Sequence, residues 1–304
     1  MAVSQAAARQ TQAALPLLKA VFPPRPAPQG HWVGDGFPVR SIFTYENAQE
    51  TSPFLLMDYA GPAVFPPSQK RRGVGEHPHR GFETVTIMYS GEVEHRDSGG
   101  NSGKIGPGDV QWMTAGSGVV HEEMHSPEYS RRGGPFEAIQ LWVNLPASHK
   151  MTPPRYQTLL ARDIPTIDLP ESAGTVRIIA GSFKDTRGPA KTVTPVHLWE
   201  LRLKAGKGTL LELPAGQTAA LFVLKGNVQL NAATQARATE FVSFAREGEA
   251  IRVDAESDAT LLVLGGEPID EPVVGYGPFV MNTQAEIHRA IEDYRTGRMG
   301  HLPP

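Results

Sequence analysis

The sequence predicts an all-β protein built from two tandem β-barrels and closed by one C-terminal helix. Three observations predict it. Glycine (31) and proline (27) are frequent enough to break the 304 residues into many short segments. Runs of β-branched and aromatic residues recur between those breaks, as strands require. One strand–turn–strand pattern occurs twice: Glu83-Thr-Val-Thr-Ile-Met-Tyr-Ser-Gly-Glu-Val93 aligns with Thr218-Ala-Ala-Leu-Phe-Val-Leu-Lys-Gly-Asn-Val228, 135 positions later. That offset is about one domain length.

Taken in order, residues 1–30 are Ala- and Gln-rich at the start and read as a flexible tail. They lack the basic start and continuous apolar stretch of a secretion signal. No apolar run approaches the roughly 18 residues that cross a bilayer, so a cytoplasmic protein without membrane contact is expected. Strands are expected at Val39–Thr44, Thr84–Tyr89 and Ile139–Val143, within a first barrel over residues 31–155. Prolines at Pro153-Pro154 and from Pro165 to Pro170 mark a joint. A second barrel, residues 165–282, carries candidate strands at Val176–Ile179, His197–Leu203, Ala219–Leu224 and Thr260–Leu264. Thr283 with Glu286 has the form of a capping box, and Ile287, Ala290, Ile291 and Tyr294 follow at helical spacing. A helix over 283–297 is expected, ended by Gly297.

The net charge of −3 gives no reason to expect direct nucleic-acid binding. The absence of cysteine excludes disulfides, thiolate metal sites and cysteine nucleophiles. Any metal site must use nitrogen and oxygen ligands.

Such ligands cluster in two places. His77-Pro-His79 and His121-Glu-Glu123 each place two ligand-type residues at i and i+2, on one face of a strand. Two such strands side by side offer three imidazoles and one carboxylate to one ion, with positions left for water, substrate or dioxygen. The second repeat is an internal control. There His77 aligns with Glu212, His79 with Pro214, His121 with Ile251 and Glu123 with Val253, so one metal per chain is expected. Glu122 should face away from the metal. His125 reads as a loop residue because Pro127 follows closely, and His95 as a surface residue after the Gly91 turn. The run Lys70-Arg-Arg72 reads as a solvated face, and Phe54, Phe82, Trp112 and Met124 as core.

The stretches His77-Pro-His-Arg-Gly-Phe-Glu-Thr84, Gly106-Pro-Gly-Asp-Val-Gln-Trp-Met-Thr-Ala-Gly116 and His121-Glu-Glu-Met124 resemble the pirin family of the cupin superfamily. Ser52-Pro-Phe-Leu-Leu-Met-Asp58 and Gly277-Pro-Phe-Val-Met-Asn-Thr283 extend the likeness to about residues 32–297. The resemblance implies two jelly-roll cupin barrels packed face to face and one iron(II) held by His77, His79, His121 and Glu123. Ligand type alone also accepts nickel, manganese, copper, cobalt or zinc. The general cupin pattern would use Glu83; here a role in strand pairing or behind the ligands is expected for it. Several pirin-type proteins resemble quercetin 2,3-dioxygenases. That implies a flavonol-like substrate and dioxygen, with Glu123 as the catalytic base. The alternative is a non-catalytic redox sensor that docks on a transcription factor or metabolic enzyme.

Overall fold

The computed structural model describes residues 16–302, and its sheets repeat one strand order twice. The N-terminal barrel has a seven-stranded sheet in the order Arg155–Leu159, Val110–Thr114, Phe82–Ser90, Gly134–Asn144, Phe54–Phe65, Phe37–Phe43, His31–Val33. A four-stranded sheet, Gly73–His79, Val119–His125, Val93–Asp97, Ser102–Ile105, closes it. The C-terminal barrel repeats the plan with Arg25–Pro26, Glu240–Phe244, Thr218–Lys225, Ala259–Gly266, Val196–Leu203, Gly174–Ala180, Thr166–Asp168. Its four-stranded sheet is Gly208–Glu212, Ala250–Ala255, Asn227–Leu230, Thr234–Arg237. The repeated turn holds Gly91 at φ 88° and Gly226 at φ 84°, a left-handed conformation that glycine alone adopts freely.

The period-two alternation of strands decides what faces what. In Phe82–Ser90, Val85 and Ile87 point at the other barrel and join a core that also holds Trp112, Leu141, Leu198, Phe222 and Leu262. Thr84, Thr86 and Met88 alternate with them and point into their own barrel. The two barrels therefore pack through their seven-stranded sheets; Tyr59 from one meets Phe222 from the other edge-on at 5.1 Å. The inside of the C-terminal barrel is apolar and filled by residues such as Trp199, Leu211 and Val223. Ile251 and Val253, the residues aligned with His121 and Glu123, are part of that filling.

Three expected boundaries are corrected. The tail expected over residues 1–30 lies outside the described residues up to residue 15, but from residue 16 onward the chain is docked. Arg25–Pro26 edges the second barrel's sheet, and the buried Lys19 ammonium donates to the carbonyls of Pro214 (3.2 Å) and Arg246 (3.0 Å). The first barrel extends beyond residue 155, because Arg155–Leu159 pairs with Val110–Thr114. The second barrel ends with the strand Ala259–Gly266, short of residue 282.

Beyond it, the hairpin Val274–Tyr276/Phe279–Met281 and the helix Gln284–Arg295 return to the first barrel. There Phe279, Met281, Ile287, Ala290 and Met299 bury against Val120. The Thr283 hydroxyl caps the helix, accepting from the Glu286 amide. Among the described residues no helix is long and apolar enough to cross a membrane.

Candidate metal centre

His77 and His79 lie at the end of Gly73–His79, which pairs antiparallel with Val119–His125 so that His121 stands opposite His77. The three rings meet inside the barrel. Ring centroids are 4.3 Å apart for His77–His121 and 4.8 Å for both His77–His79 and His79–His121. One ring nitrogen from each lies within 4.8 Å of the others. Each Nδ1 has a neighbour outside the cluster: the Gly75 carbonyl for His77 (2.7 Å), the Pro278 carbonyl for His79 (3.4 Å), and His95 Nδ1 for His121 (3.2 Å).

This leaves the Nε2 atoms to converge. Nε2 of His121 is buried with no hydrogen-bond partner, and buried nitrogens are rarely left so. Burial first, then the neighbouring imidazoles, hold His79 and His121 well below the usual histidine range, with the Pro278 contact opposing for His79. Both rings are therefore neutral, the form that binds metal. Three convergent imidazoles, one with an unpartnered buried nitrogen, fit a divalent ion.

Glu123 points into the same barrel, but its carboxylate is engaged across the interior. It accepts from Thr86 Oγ1 and Gln140 Nε2, both at 3.2 Å. Among the described residues the tight ligand group contains the three histidines and not Glu123. A register shift against Gly73–His79 occurs between His121 and Glu123, which places Glu123 opposite Val74. Glu122 faces outward and accepts from Arg96 Nε at 2.7 Å.

Three neighbours stand differently from, or more definitely than, their sequence reading. His95 is not a surface residue: it is 2% exposed, opposite Glu123 in the paired strand Val93–Asp97. The alternation Val93-x-His95-x-Asp97 was the available signal, since all three are buried. His125 is not a loop residue either. It ends the strand Val119–His125 inside a box of Phe37, Phe65, Tyr129 and Phe136, its Nε2 2.9 Å from the Gly36 carbonyl. Glu83 shares the face of Val85 and points away from the metal cluster, accepting from its cross-strand neighbour Thr114 at 2.6 Å. Burial pushes its carboxyl up, against the Thr114 hydrogen bond.

The run at 70–72 is engaged: Lys70 with Asp35, Arg71 with Glu94, and Arg72 over the Phe65 ring. Phe54, Phe82 and Trp112 are buried. Phe82 stacks on Trp142 (4.2 Å, 26°) beside His79.

The C-terminal hairpin finishes the site. Besides the Pro278 carbonyl at His79, the Val280 amide donates to the Arg80 carbonyl. Arg80 itself pairs with Asp293 of the helix at 2.8 Å. The buried Lys150 ammonium donates to the carbonyls of Gly81 (2.8 Å) and Val280 (3.0 Å) and to Asn144 Oδ1 (2.8 Å). Gly81 sits at φ 93°, and a Cβ there would run into the Val280 carbonyl.

Comparison with known proteins places this geometry. Residues 36–143 match the pirin family, and residues 198–300 match the pirin C-terminal cupin domain. A Pseudomonas aeruginosa protein, named provisionally as a quercetin 2,3-dioxygenase, is 57% identical over 269 residues, covering 88% of this chain and 94% of its own. A pirin-like protein of Caulobacter vibrioides is 39% identical, covering 89% and 96%. The crystal structure of a quercetin 2,3-dioxygenase from Acinetobacter baumannii superposes with a TM-score of 0.90 at 50% identity, covering 93% of this chain and 99% of that one. An Escherichia coli pirin solved in complex with nickel(II) shares the fold at 22% identity, with a TM-score of 0.63 over 82% and 100% of the two chains.

Proposed function

The chain belongs to the pirin family, and from that premise we propose that it uses one divalent metal ion in the N-terminal barrel to oxygenate flavonol-type substrates with dioxygen. The observation that carries the reading is the buried, unpartnered Nε2 of His121 facing His77 and His79. Iron(II) is the ion we propose; the E. coli relative was solved with nickel(II), so metal content is to be measured. When bound, the ion supplies Lewis-acid and one-electron chemistry to a substrate hydroxyl and dioxygen.

The chain's own residues do the rest. His77, His79 and His121 hold the ion, and Glu123 closes the set with a carboxylate oxygen. Thr86 and Gln140 fix the two Glu123 oxygens. Oε1, which receives only a hydroxyl hydrogen bond, takes the proton of the flavonol 3-hydroxyl. The stacked Phe82 and Trp142 beside His79 give an apolar wall that suits an aromatic ring and excludes water.

Quercetin is titrated anaerobically into metal-loaded protein, and oxygen is then admitted. The flavonol band should shift on binding and bleach with oxygen, and Glu123→Gln should slow bleaching by about 10²–10⁴-fold. A band that neither shifts nor bleaches rejects the dioxygenase reading.

A further inference from the structure

We propose that His95 is a positioning residue for the metal centre: through a chain from His121 to His95 to Asp97 it locks the His121 imidazole in the tautomer that presents a bare Nε2. The proposal rests on the reading of His77, His79 and His121 as ligands.

The two Nδ1 atoms of His121 and His95 are 3.2 Å apart, and one hydrogen at most lies between them. Asp97 decides which ring owns it. The carboxylate accepts from the amides of Gly99 (2.9 Å) and Asn101 (3.0 Å) and from Asn101 Nδ2 (3.1 and 3.0 Å). Its remaining contact is His95 Nε2, 3.3 Å from Oδ2. The partners from Gly99 and Asn101 are all donors, the set that suits an ionised carboxylate. An ionised carboxylate can only accept.

In its neutral form His95 then carries its one hydrogen on Nε2, which leaves its Nδ1 as an acceptor. His121 must then donate from Nδ1, and its Nε2 is left bare. The reverse assignment would set a lone pair of His95 against the carboxylate and point an N–H of His121 into the ligand cluster. The His95 ring is held for the task by stacking on Tyr156 (4.8 Å, 13°). Outer partners that fix a ligand's tautomer are typically worth 10–100-fold in metal affinity.

Asp97→Asn gives a sharp test. Oδ1 already faces the two backbone amides, so the new amide oxygen should keep that side. The NH₂ would then replace Oδ2 and donate to His95 Nε2, inverting the chain. Imidazole ¹⁵N shifts of the full-length apo protein should show His121 protonated on Nδ1 in wild type and shifted toward Nε2–H in Asp97→Asn. Cobalt(II) affinity of the folded variant, measured by competition, should fall 10–100-fold. His95→Phe keeps a ring on Tyr156 but removes the acceptor, and it decides the matter if Asp97→Asn does not fold: cobalt(II) affinity should fall as far.

A wild type that binds no cobalt(II) overturns this proposal together with the functional reading. A wild type that binds, alongside folded variants that bind within twofold of it, overturns only the role of His95. Lowered affinity with an unchanged ¹⁵N pattern in Asp97→Asn overturns it as well.

Discussion

At the scale of single residues, burial sets the charge of two of the converging histidines. His79 and His121 are held well below the usual histidine range by desolvation first and then by His77 and the other neighbouring imidazoles. As pH falls through about 6.5, the unfolded chain takes up protons that these two folded side chains refuse, so stability of the metal-free protein should decline with acidification. Chemical denaturation between pH 8 and pH 5 reads this directly; a flat profile would contradict the burial argument. His121→Ala should reduce bound metal from one equivalent to near none by elemental analysis. The convergence of His77, His79 and His121 was legible because i and i+2 share a strand face, whereas Glu123 lies inside the barrel but outside that tight group. His95 was harder to place. Its sequence signal was only the alternation with Val93 and Asp97, and pairing with the strand of Glu123 brings it inside.

At the scale of elements, the link between the C-terminal hairpin and the metal loop is the least expected feature. Lys150 joins them, and burial lowers its ammonium to about 8. Lys150→Met would leave three acceptors without their donor, and destabilisation of about 2–4 kcal/mol is expected from urea midpoints. Between pH 8 and the unfolded value of 10.5 the unfolded chain keeps a proton that the folded one has released. Wild type should therefore gain stability over Lys150→Met as pH rises through that window. An advantage that shrinks with pH would show the lysine is charged throughout. The strands and the capped helix could be read from periodicity and Thr283. The docking of that helix could not, since a pattern with period 2 or 3.6 says which face is apolar and not which barrel it covers.

At the scale of the molecule, two barrels share one apolar core between their seven-stranded sheets. Unfolding of the full chain should therefore be one cooperative transition by calorimetry, with calorimetric and van't Hoff enthalpies equal. Two resolved transitions would mean that the shared core couples the barrels weakly. Residues 31–159 alone would expose that core face and lose the hairpin, so they should aggregate or lack a cooperative melt. The tandem plan was visible in the repeat around Gly91 and Gly226. The docked N-terminal segment was not, because its partners, Ala250 and Phe244 among them, lie more than two hundred positions away.

The exchange of chain ends has a consequence for biogenesis. His79 leaves the ribosome long before Pro278, whose carbonyl steadies it. At about 5–20 residues per second the interval is roughly 10–40 s. Until then the nascent first barrel holds its three converging imidazoles without the contact that the finished hairpin gives one of them.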